Sequence, residues 1–243
     1  MYIIKLDAID STNSYLKGLC VKKTPKDFTI VISESQTQGR GQMGTQWQAE
    51  STKNLTFSVF KDVSFLEVQQ QFYISMAVAL GITKALNELQ VPKIKIKWPN
   101  DILSENKKIA GILIENVIKN NTLVGSVIGI GLNVNQKFFD KLPNASSLHL
   151  ITGVVHNKQE VFYLILKHIK LYFERLQNEE FDFLKTAYES QLFRIKKPSS
   201  FKASSDKIFS GFIEGVTDDG KLQLLLEDDV KKAFDLKEIQ LLY

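Results

Sequence analysis

The stretch IKIKWPNDILSENKKIAGILIENVIKNNTLVGSVIGI, residues 94–130, does most to decide the fold. At its start isoleucine and tryptophan alternate with lysine, which is typical of a half-buried strand, and Pro99 stiffens the chain where that strand ends. Two longer apolar runs follow, at residues 109–117 and 122–130, with a short polar turn between them. Such a pair predicts a β-hairpin, so we expect an antiparallel or mixed sheet at the centre of the chain.

Further strands and helices are predicted on both sides of this stretch. The apolar patterns indicate, in chain order, strands at residues 2–6, 28–33 and 55–60 and helices at 67–90, 158–178 and 181–193. Side chains that can accept hydrogen bonds from a first helical turn stand at residues 10–13 and indicate one more helix start. The predicted fold class is therefore α+β, a mixed sheet with flanking helices.

The chain changes character near Lys196, where a second and smaller domain is predicted to begin. Beyond this point the pattern indicates only short strands separated by turn residues, at 200–203, 207–216, 222–226 and 230–235. We therefore expect one large domain over residues 1–195 and a small β-barrel over residues 196–243.

The composition is that of an ordinary globular protein, with 44% hydrophobic and 24% charged residues. No apolar run approaches the roughly 20 residues that span a bilayer, so no membrane partner is expected. The net charge of +4 comes mainly from scattered lysines, which favours a solvated surface over a nucleic-acid site. The N-terminus lacks a signal-peptide layout and Cys20 is the only cysteine, so a reducing cytoplasm is the expected location.

The segment GRGQMG, residues 39–44, is the first candidate for chemistry. Its glycines free the backbone to approach a ligand closely, and Arg40 adds a planar, permanently charged fork that suits phosphate or carboxylate. The Walker spacing is absent, so this is not a P-loop. Taken alone, the segment also fits a plain surface loop with one exposed arginine.

Two further segments carry polar groups at strand ends. KWPND, residues 97–101, is followed by Lys108, whose ammonium is placed either to meet an anion or simply to face solvent. GIGLN, residues 129–133, places glycines where a flat ring could lie against the backbone, and the amide of Asn133 can both donate and accept.

Other reactive side chains give no pattern that indicates a site. His149, His156 and His168 have no metal-ligand spacing with each other or with Cys20, so no metal site built from His or Cys is expected. Cys20 stands in an ordinary apolar segment and is predicted to be a small buried hydrophobe. Nothing suggests a Ser-His-Asp nucleophile system.

Taken together and in this order, these segments resemble the biotin–protein ligase family, whose members attach biotin to a lysine of carboxylase carrier domains. The matching segments are Ser11-Thr12-Asn13, ESQTQGRGQMGTQW (34–47), KWPNDILSENKKIAGILIE (97–115), GIGLNVN (129–135) and NASSL (144–148). The resemblance implies a catalytic domain of the class II synthetase type over residues 1–195, related to lipoate ligases. It also implies an SH3-like barrel over residues 196–243.

The resemblance implies a reaction in two steps. First the biotin carboxylate attacks the α-phosphate of ATP, with Mg²⁺ present, giving biotinyl-5′-AMP and pyrophosphate. Then a lysine amine of the acceptor attacks this mixed anhydride, giving an amide and AMP. No enzyme nucleophile is needed, so the protein has to hold two anions together and keep water from the anhydride.

The resemblance also implies roles for individual residues. The implied biotin contacts are Ser11, Thr12, Asn13, Gln36, Arg40, Gly41, Gln42, Lys108 and Gly111. The implied nucleotide contacts are Arg40, Trp47, Asn100, Asp101 and Asn133. Arg40 and Lys108 are the expected catalytic cations, since Lys108 would offset the charge that builds up as carboxylate meets α-phosphate.

Other functions stay open on the sequence alone. A lipoate or octanoate ligase would share the superfold, but those enzymes lack the paired GRGxxG and KWPND segments found here. A non-catalytic biotin-binding adaptor needs no phosphate site, so Arg40 together with Lys108 argues against it. The expected acceptor is the biotin carboxyl carrier protein or domain of acetyl-CoA carboxylase or a related enzyme, and both a monomer and a homodimer are compatible with the sequence.

Two features depart from the family pattern. The family loop commonly has the sequence GRGRxGR, whereas Gln42 and Thr45 stand where it has further arginines. Some family members carry an N-terminal helix-turn-helix domain and repress biotin genes, whereas here the first predicted strand begins at Tyr2. We therefore expect a monofunctional ligase without that domain and without a nucleic-acid partner.

Fewer positive charges on the loop predict that this enzyme releases biotinyl-AMP more readily than relatives with loop arginines. The Gln42→Arg variant is expected to lower the dissociation rate of the adenylate, because a second guanidinium would add to the attraction of the phosphate. Stopped-flow dissociation of preformed adenylate from the two proteins measures the effect, and equal rates would contradict the prediction.

Overall fold

The larger part of the protein is built on a seven-stranded mixed sheet. The structure, a computed structural model, describes residues 1–140 and 142–243. The strands of this sheet are β1 (Tyr2–Ile9), β2 (Thr29–Gln36), β3 (Leu55–Lys61), β4 (Ile94–Lys97), β5 (Asp101–Ser104), β6 (Lys107–Lys119) and β7 (Thr122–Leu132). Their order is β1-β2-β3-β7-β6-β5-β4, with β1 and β2 parallel and the other neighbours antiparallel. The predicted mixed sheet is confirmed.

Helices cover both faces of this sheet. They are α1 (Thr12–Lys22), α2 (Phe72–Glu88), α3 (Leu148–Thr152), α4 (Lys158–Gln177) and α5 (Phe181–Ser190). Successive side chains of a strand point to opposite faces, so Ile30 joins the large core beneath α2 and α4 while Val31 joins a small cluster beneath α1. That small cluster also buries Leu16 and Cys20, which confirms Cys20 as a buried hydrophobe.

The predicted hairpin is β6 and β7, and both strands are longer than the apolar pattern indicated. Its turn is formed by Asn120 and Asn121, whose φ angles are +49° and +59°. Asparagine tolerates this left-handed region, and two such residues in succession match the twist of the flanking strands. The polar residues flanking the turn therefore pair as strand, because backbone hydrogen bonds continue beyond the buried side chains.

A β-bulge near the start of β6 changes the face of the sheet to which its first side chains point. Ile102 pairs with Ala110 but Leu103 pairs with Lys108, so one extra residue, Ile109, is inserted. In a regular strand Lys108 and Gly111, three positions apart, would lie on opposite faces. The bulge puts both on the same side of the sheet while Ile109 and Ala110 stay buried.

The C-terminal residues form a separate five-stranded antiparallel sheet, where the sequence predicted the four short strands of a small β-barrel. Its strands are β8 (Pro198–Ala203), β9 (Ile208–Val216), β10 (Leu222–Leu225), β11 (Lys231–Phe234) and β12 (Ile239–Leu242), in the order β11-β10-β9-β8-β12. It packs on the larger unit through one continuous hydrophobic core, and Trp98 Nε1 donates to Gly220 O across the junction at 2.8 Å. The domain division at residue 196 stays a prediction.

The sequence prediction was wrong at several element ends and missed three short elements. The helix predicted over 181–193 ends at Ser190, because the chain then turns and Phe193 N donates to Ile96 O at 2.7 Å. The helix predicted over 67–90 is a 3₁₀ turn at Val68–Gln70 followed by α2. The missed elements are β5, α3 and β12, each of four or five residues and too short to show a period. None of the described helices is both long enough and apolar enough to pass through a membrane.

Two glycine-to-alanine substitutions are predicted to have opposite effects on stability, one where α2 crosses α4 and one on the exposed face of α1. A Cβ on Gly81 would lie 2.8 Å from Cα of Ile169, so Gly81→Ala should force the helices apart and lower the free energy of unfolding by about 1–3 kcal/mol. Gly18 of α1 is exposed with nothing within 4 Å, so Gly18→Ala should raise it by up to about 1 kcal/mol. Urea unfolding measures both, and a Gly81→Ala variant as stable as the parent would refute the close-packing argument.

Candidate active site

The sheet, the loop 39–47 and the start of α1 enclose a cavity of about 370 Å³. The predicted site residues that line it are Ser11, Thr12, Asn13, Gln36, Arg40, Gly41, Gln42, Trp47, Asn100, Asp101, Lys108 and Gly111. Leu236 and Gln240 of the C-terminal unit also line it, although no pattern in the sequence marked them. Segments far apart in sequence therefore meet at one cavity.

Strand register explains how these segments meet. Asp101 pairs with Gly111, Gly111 with Gly131, and Gly131 with Thr56, so the four lie in one row across β5, β6, β7 and β3. All four line the cavity. The two central positions are glycines, and the floor of the cavity is therefore bare backbone at its centre.

One end of the cavity is neutral and rich in hydrogen-bonding groups. Gln36 Oε1 accepts from the backbone N–H of Thr12 at 2.8 Å, which ties the end of β2 to the start of α1. Ser11 caps α1 through its side chain and is buried. Asn13 lies directly against Gly129, where any side chain would overlap its amide. Glycine at 129 is thus required for Asn13 to reach the cavity.

Glu115 is a half-buried carboxylate behind this end that the sequence prediction missed. It accepts from Asn13 Nδ2 at 3.0 Å and Lys17 Nζ at 2.8 Å, and Arg40 Nη1 lies 3.7 Å away. Burial alone would raise the pKa of Glu115, but the hydrogen bonds from Lys17 and Asn13 and the positive charges hold it below its ordinary value. The sequence did carry a signal for it. Side chains alternate along β6, so Glu115 points to the same face of the sheet as the lining residues Gly111 and Leu113.

The other end of the cavity is cationic. Lys108 Nζ lies 2.6 Å from Asp101 Oδ1, and Lys97 Nζ lies 3.4 Å from Asp101 Oδ2. The ammonium of Lys97 also stands 5.1 Å from the ring centroid of Tyr243. Among the described lining residues Asp101 is the one carboxylate, so an entering anion meets two lysines and a single negative charge.

Trp47 lies over the glycine row. Its indole contacts the backbone at Gly131 and Gly111, and the ammonium of Lys108 is 5.7 Å from its ring centroid. The indole Nε1 is buried and has no hydrogen-bond partner among residues 1–140 and 142–243. At Gly131 the place predicted for a flat ligand ring is covered by the Trp47 indole, and the ligand contact itself stays a prediction.

The loop 39–47 is a compact turn held by its own backbone. Gly41 N donates to Thr45 O at 2.7 Å and Trp47 N donates to Gly39 O at 3.0 Å. A side chain at Gly39 would overlap the carbonyl oxygen of Trp47, so only glycine permits this closure. The side chain of Arg40 is 52% exposed, and Glu115 is the one carboxylate near it in the part of the chain that the structure describes, so its guanidinium is accessible to a ligand.

Asn133 is the predicted nucleotide contact that does not line the cavity. Its Nδ2 donates to Ser146 O at 2.9 Å, and its backbone N–H donates to Ile109 O at 2.8 Å. The side chain is buried and joins the end of β7 to the NASSL segment. Asn133 thus connects two segments beside the cavity lining, and its contact with a nucleotide stays a prediction.

The histidines lie away from the cavity. His168 is buried on α4 and its Nε2 lies 2.7 Å from Glu88 Oε2. Within residues 1–140 and 142–243, no three His, Cys, Asp or Glu side chains are grouped to hold a metal ion.

Comparison with known proteins agrees with this arrangement. The profile of the biotin/lipoate A/B protein ligase family matches residues 6–133. The bifunctional ligase/repressor BirA of Escherichia coli is 28% identical over 240 residues, covering 97% of this chain and 73% of that protein. A biotin–[acetyl-CoA-carboxylase] ligase of Mycobacterium tuberculosis is 36% identical over 141 residues, covering 57% of this chain and 51% of that protein.

A solved structure extends the likeness to the whole chain. The biotin protein ligase from Aquifex aeolicus, in complex with biotin and ATP, has a TM-score of 0.82 and 26% identity and covers 99% of this chain and 98% of that chain. The fold and the two-ended cavity define a ligase that joins a small carboxylic acid to protein. The chain belongs to the biotin/lipoate A/B protein ligase family.

Proposed function

We propose that this chain is a biotin–protein ligase, which activates biotin with ATP to biotinyl-5′-AMP and transfers the biotin to a lysine of a carrier protein. The observation that carries the proposal is a single cavity with a neutral polar end and a cationic end, in a chain whose relatives are biotin ligases. Biotin has the matching shape, since a neutral ureido ring stands at one end of the molecule and a carboxylate at the other.

The neutral end supports recognition of the ureido ring. Thr12, Asn13 and Gln36 supply amide and hydroxyl groups that can both donate and accept. They are fixed by contacts with each other and with Glu115, so little ordering is required when the ring binds. We assign the biotin ring to this end and its carboxylate to the side of Arg40.

The cationic end supports the adenylation step. The biotin carboxylate oxygen attacks the α-phosphorus, and the bond to the bridging oxygen of pyrophosphate breaks. Negative charge gathers where the two anions meet, and Lys108 is placed to offset it once it exchanges Asp101 for a phosphate oxygen. Arg40, which is exposed and only loosely paired with Glu115, is free to bind the same phosphate.

Transfer needs an amine from the acceptor and no nucleophile from this chain. The lysine amine attacks the anhydride carbonyl, loses a proton, and AMP leaves with the broken C–O bond's electrons. The chain contributes by holding the adenylate and by keeping water away until the acceptor arrives. We propose a biotin carboxyl carrier protein or domain as the acceptor and the cytoplasm as the location.

Mg²⁺ is proposed to enter with ATP. Asp101 is the one carboxylate among the described lining residues, and it is already paired with two lysines. Mg²⁺ is typically bound by one or two carboxylates together with substrate phosphates, and this donor set fits that use better than a dedicated metal cage. When bound, the ion would neutralise phosphate charge.

Pyrophosphate release tests the proposed function directly. Mixing the protein with Mg-ATP should release pyrophosphate when biotin is added and not when lipoate or octanoate is added, because only biotin presents a ureido ring. Release with lipoate or octanoate alone would favour the acyl ligases of the same superfold. Biotin binding without any release would favour a non-catalytic binder.

Lys108→Ala is expected to lower the adenylation rate by at least about 30-fold, which corresponds to roughly 2 kcal/mol of lost transition-state stabilisation. Lys107→Ala is the matched control, because the exposed Lys107 ammonium contacts Pro143 O and does not line the cavity. Single-turnover pyrophosphate release measures both rates. An unchanged rate in Lys108→Ala would remove Lys108 from the mechanism.

A further inference from the structure

Ser58 is a fully buried hydroxyl beneath the neutral end of the cavity, and it does not line the cavity itself. Its Oγ lies 2.6 Å from Asn13 Oδ1 and 2.7 Å from Thr12 Oγ1. A serine has one proton to donate. The oxygen that receives this proton determines what Thr12 can offer to a ligand.

The amide of Asn13 fixes the destination of that proton. Asn13 Nδ2 donates to Glu115 Oε2 at 3.0 Å and to Leu113 O at 3.2 Å, and both partners can only accept. Turning the amide over would bring Oδ1 against these two oxygens. Oδ1 therefore faces Ser58, and since a carbonyl oxygen cannot donate, the Ser58 proton lies in this contact.

Thr12 must then donate to Ser58. The two hydroxyl oxygens are 2.7 Å apart, and with the Ser58 proton already used, only Thr12 can supply the one between them. Thr12 Oγ1 also lies 3.0 Å from Gln36 Oε1, but that oxygen already accepts the backbone N–H of Thr12 at 2.8 Å. A Thr12 proton directed to Gln36 would leave the two hydroxyl oxygens 2.7 Å apart with no hydrogen between them, so the proton belongs to the contact with Ser58. Thr12 Oγ1 is left with a free lone pair, and Thr12 lines the cavity.

We infer that Ser58 and Glu115 fix the direction of this hydrogen-bond chain, so that Thr12 presents an acceptor to an N–H group of the biotin ureido ring. The inference rests on the proposed function, since it places that ring at the neutral end. Ser58 is thus a positioning residue for biotin, because it sets the polarity of a group that touches the ring. Gln36, with its Oε1 occupied, keeps Nε2 to donate to the ureido oxygen.

The chain is anchored at its far end by a charge. The carboxylate of Glu115 is paired with Lys17 at 2.8 Å, which keeps it an acceptor for Asn13. Buried networks of this kind stabilise one arrangement when every member is satisfied. The order of donors from Thr12 through Ser58 and Asn13 to Glu115 is therefore set before any ligand binds.

Two variants of Ser58 and one matched control test the inference. Ser58→Ala removes the proton, and Ser58→Cys keeps the shape of the side chain with a somewhat larger atom that is only a weak donor. Ser104→Ala is the control, because Ser104 is also fully buried on a strand of the same sheet and its Oγ donates to Pro92 O at 2.7 Å away from the cavity. Melting temperatures of all three variants report the structural cost of losing a buried hydroxyl.

Biotin affinity, measured by calorimetry, should fall at least about tenfold in both Ser58 variants, the size of one hydrogen bond left unmade. The KM for ATP and the kcat at saturating biotin should stay near the parent values. Ser104→Ala should lose similar thermal stability and keep its biotin affinity. Parent-like biotin affinity in Ser58→Cys, or an equal loss in Ser104→Ala, would overturn the inference.

Biotin analogues methylated on one or the other ring nitrogen probe the direction of the chain. The parent protein should reject the analogue that lacks the N–H facing Thr12. The Ser58 variants should discriminate less, because the Thr12 proton is then held only by the longer 3.0 Å contact with Gln36 Oε1 and can turn to a ligand. Equal discrimination in parent and variants would contradict the assigned polarity. Biotin-dependent pyrophosphate release by the parent separates these outcomes from a failure of the proposed function itself, which would abolish that release.

Discussion

The pairing of Gly111 with Gly131 across β6 and β7 is the constraint on which the cavity depends. These two residues form the bare centre of a row that Asp101 and Thr56 complete on either side. A side chain at Gly131 would overlap the Trp47 indole. If the register of β6 shifted by one residue, its side chains would point to the opposite face of the sheet. The bulge at Ile109 and the glycine row are therefore both needed to put Lys108 and Gly111 on the cavity side.

Each cation proposed to meet the phosphate is held by a carboxylate of the same protein. Arg40 lies 3.7 Å from Glu115, and Lys108 lies 2.6 Å from Asp101. Both pairs are within reach of solvent, where exposed ion pairs contribute little to stability. A ligand that brings a carboxylate and a phosphate can therefore replace these partners at small cost. Before the ligand binds, the same carboxylates keep Arg40 and Lys108 paired, so no buried cation is left without a partner charge.

The two ends of the cavity differ in rigidity for a physical reason. At the neutral end the groups are buried and joined in a chain of hydrogen bonds that runs from Thr12 to Glu115. Between the two ends Arg40 is on an exposed loop, and Trp47 covers the glycine row with a buried N–H that has no partner among the described residues. In the proposed function, specificity for the ring rests on buried strands and a helix start, whereas the phosphate side rests partly on the exposed loop 39–47.

The sequence by itself indicated most of the strands, the main helices and most of the segments that line the cavity, because alternation, helical spacing and the glycine-rich segments are local patterns. It also indicated Arg40 and Lys108, since charged side chains beside glycines or strand ends are visible in one dimension. Only the tertiary structure decided that Ser58 lies beneath Thr12, that Glu115 holds Asn13, and that Asn133 lies beside the cavity lining. These facts depend on strand register, on one inserted residue and on the packing of α1 against β3 and β7, which are set by contacts between residues far apart in the chain.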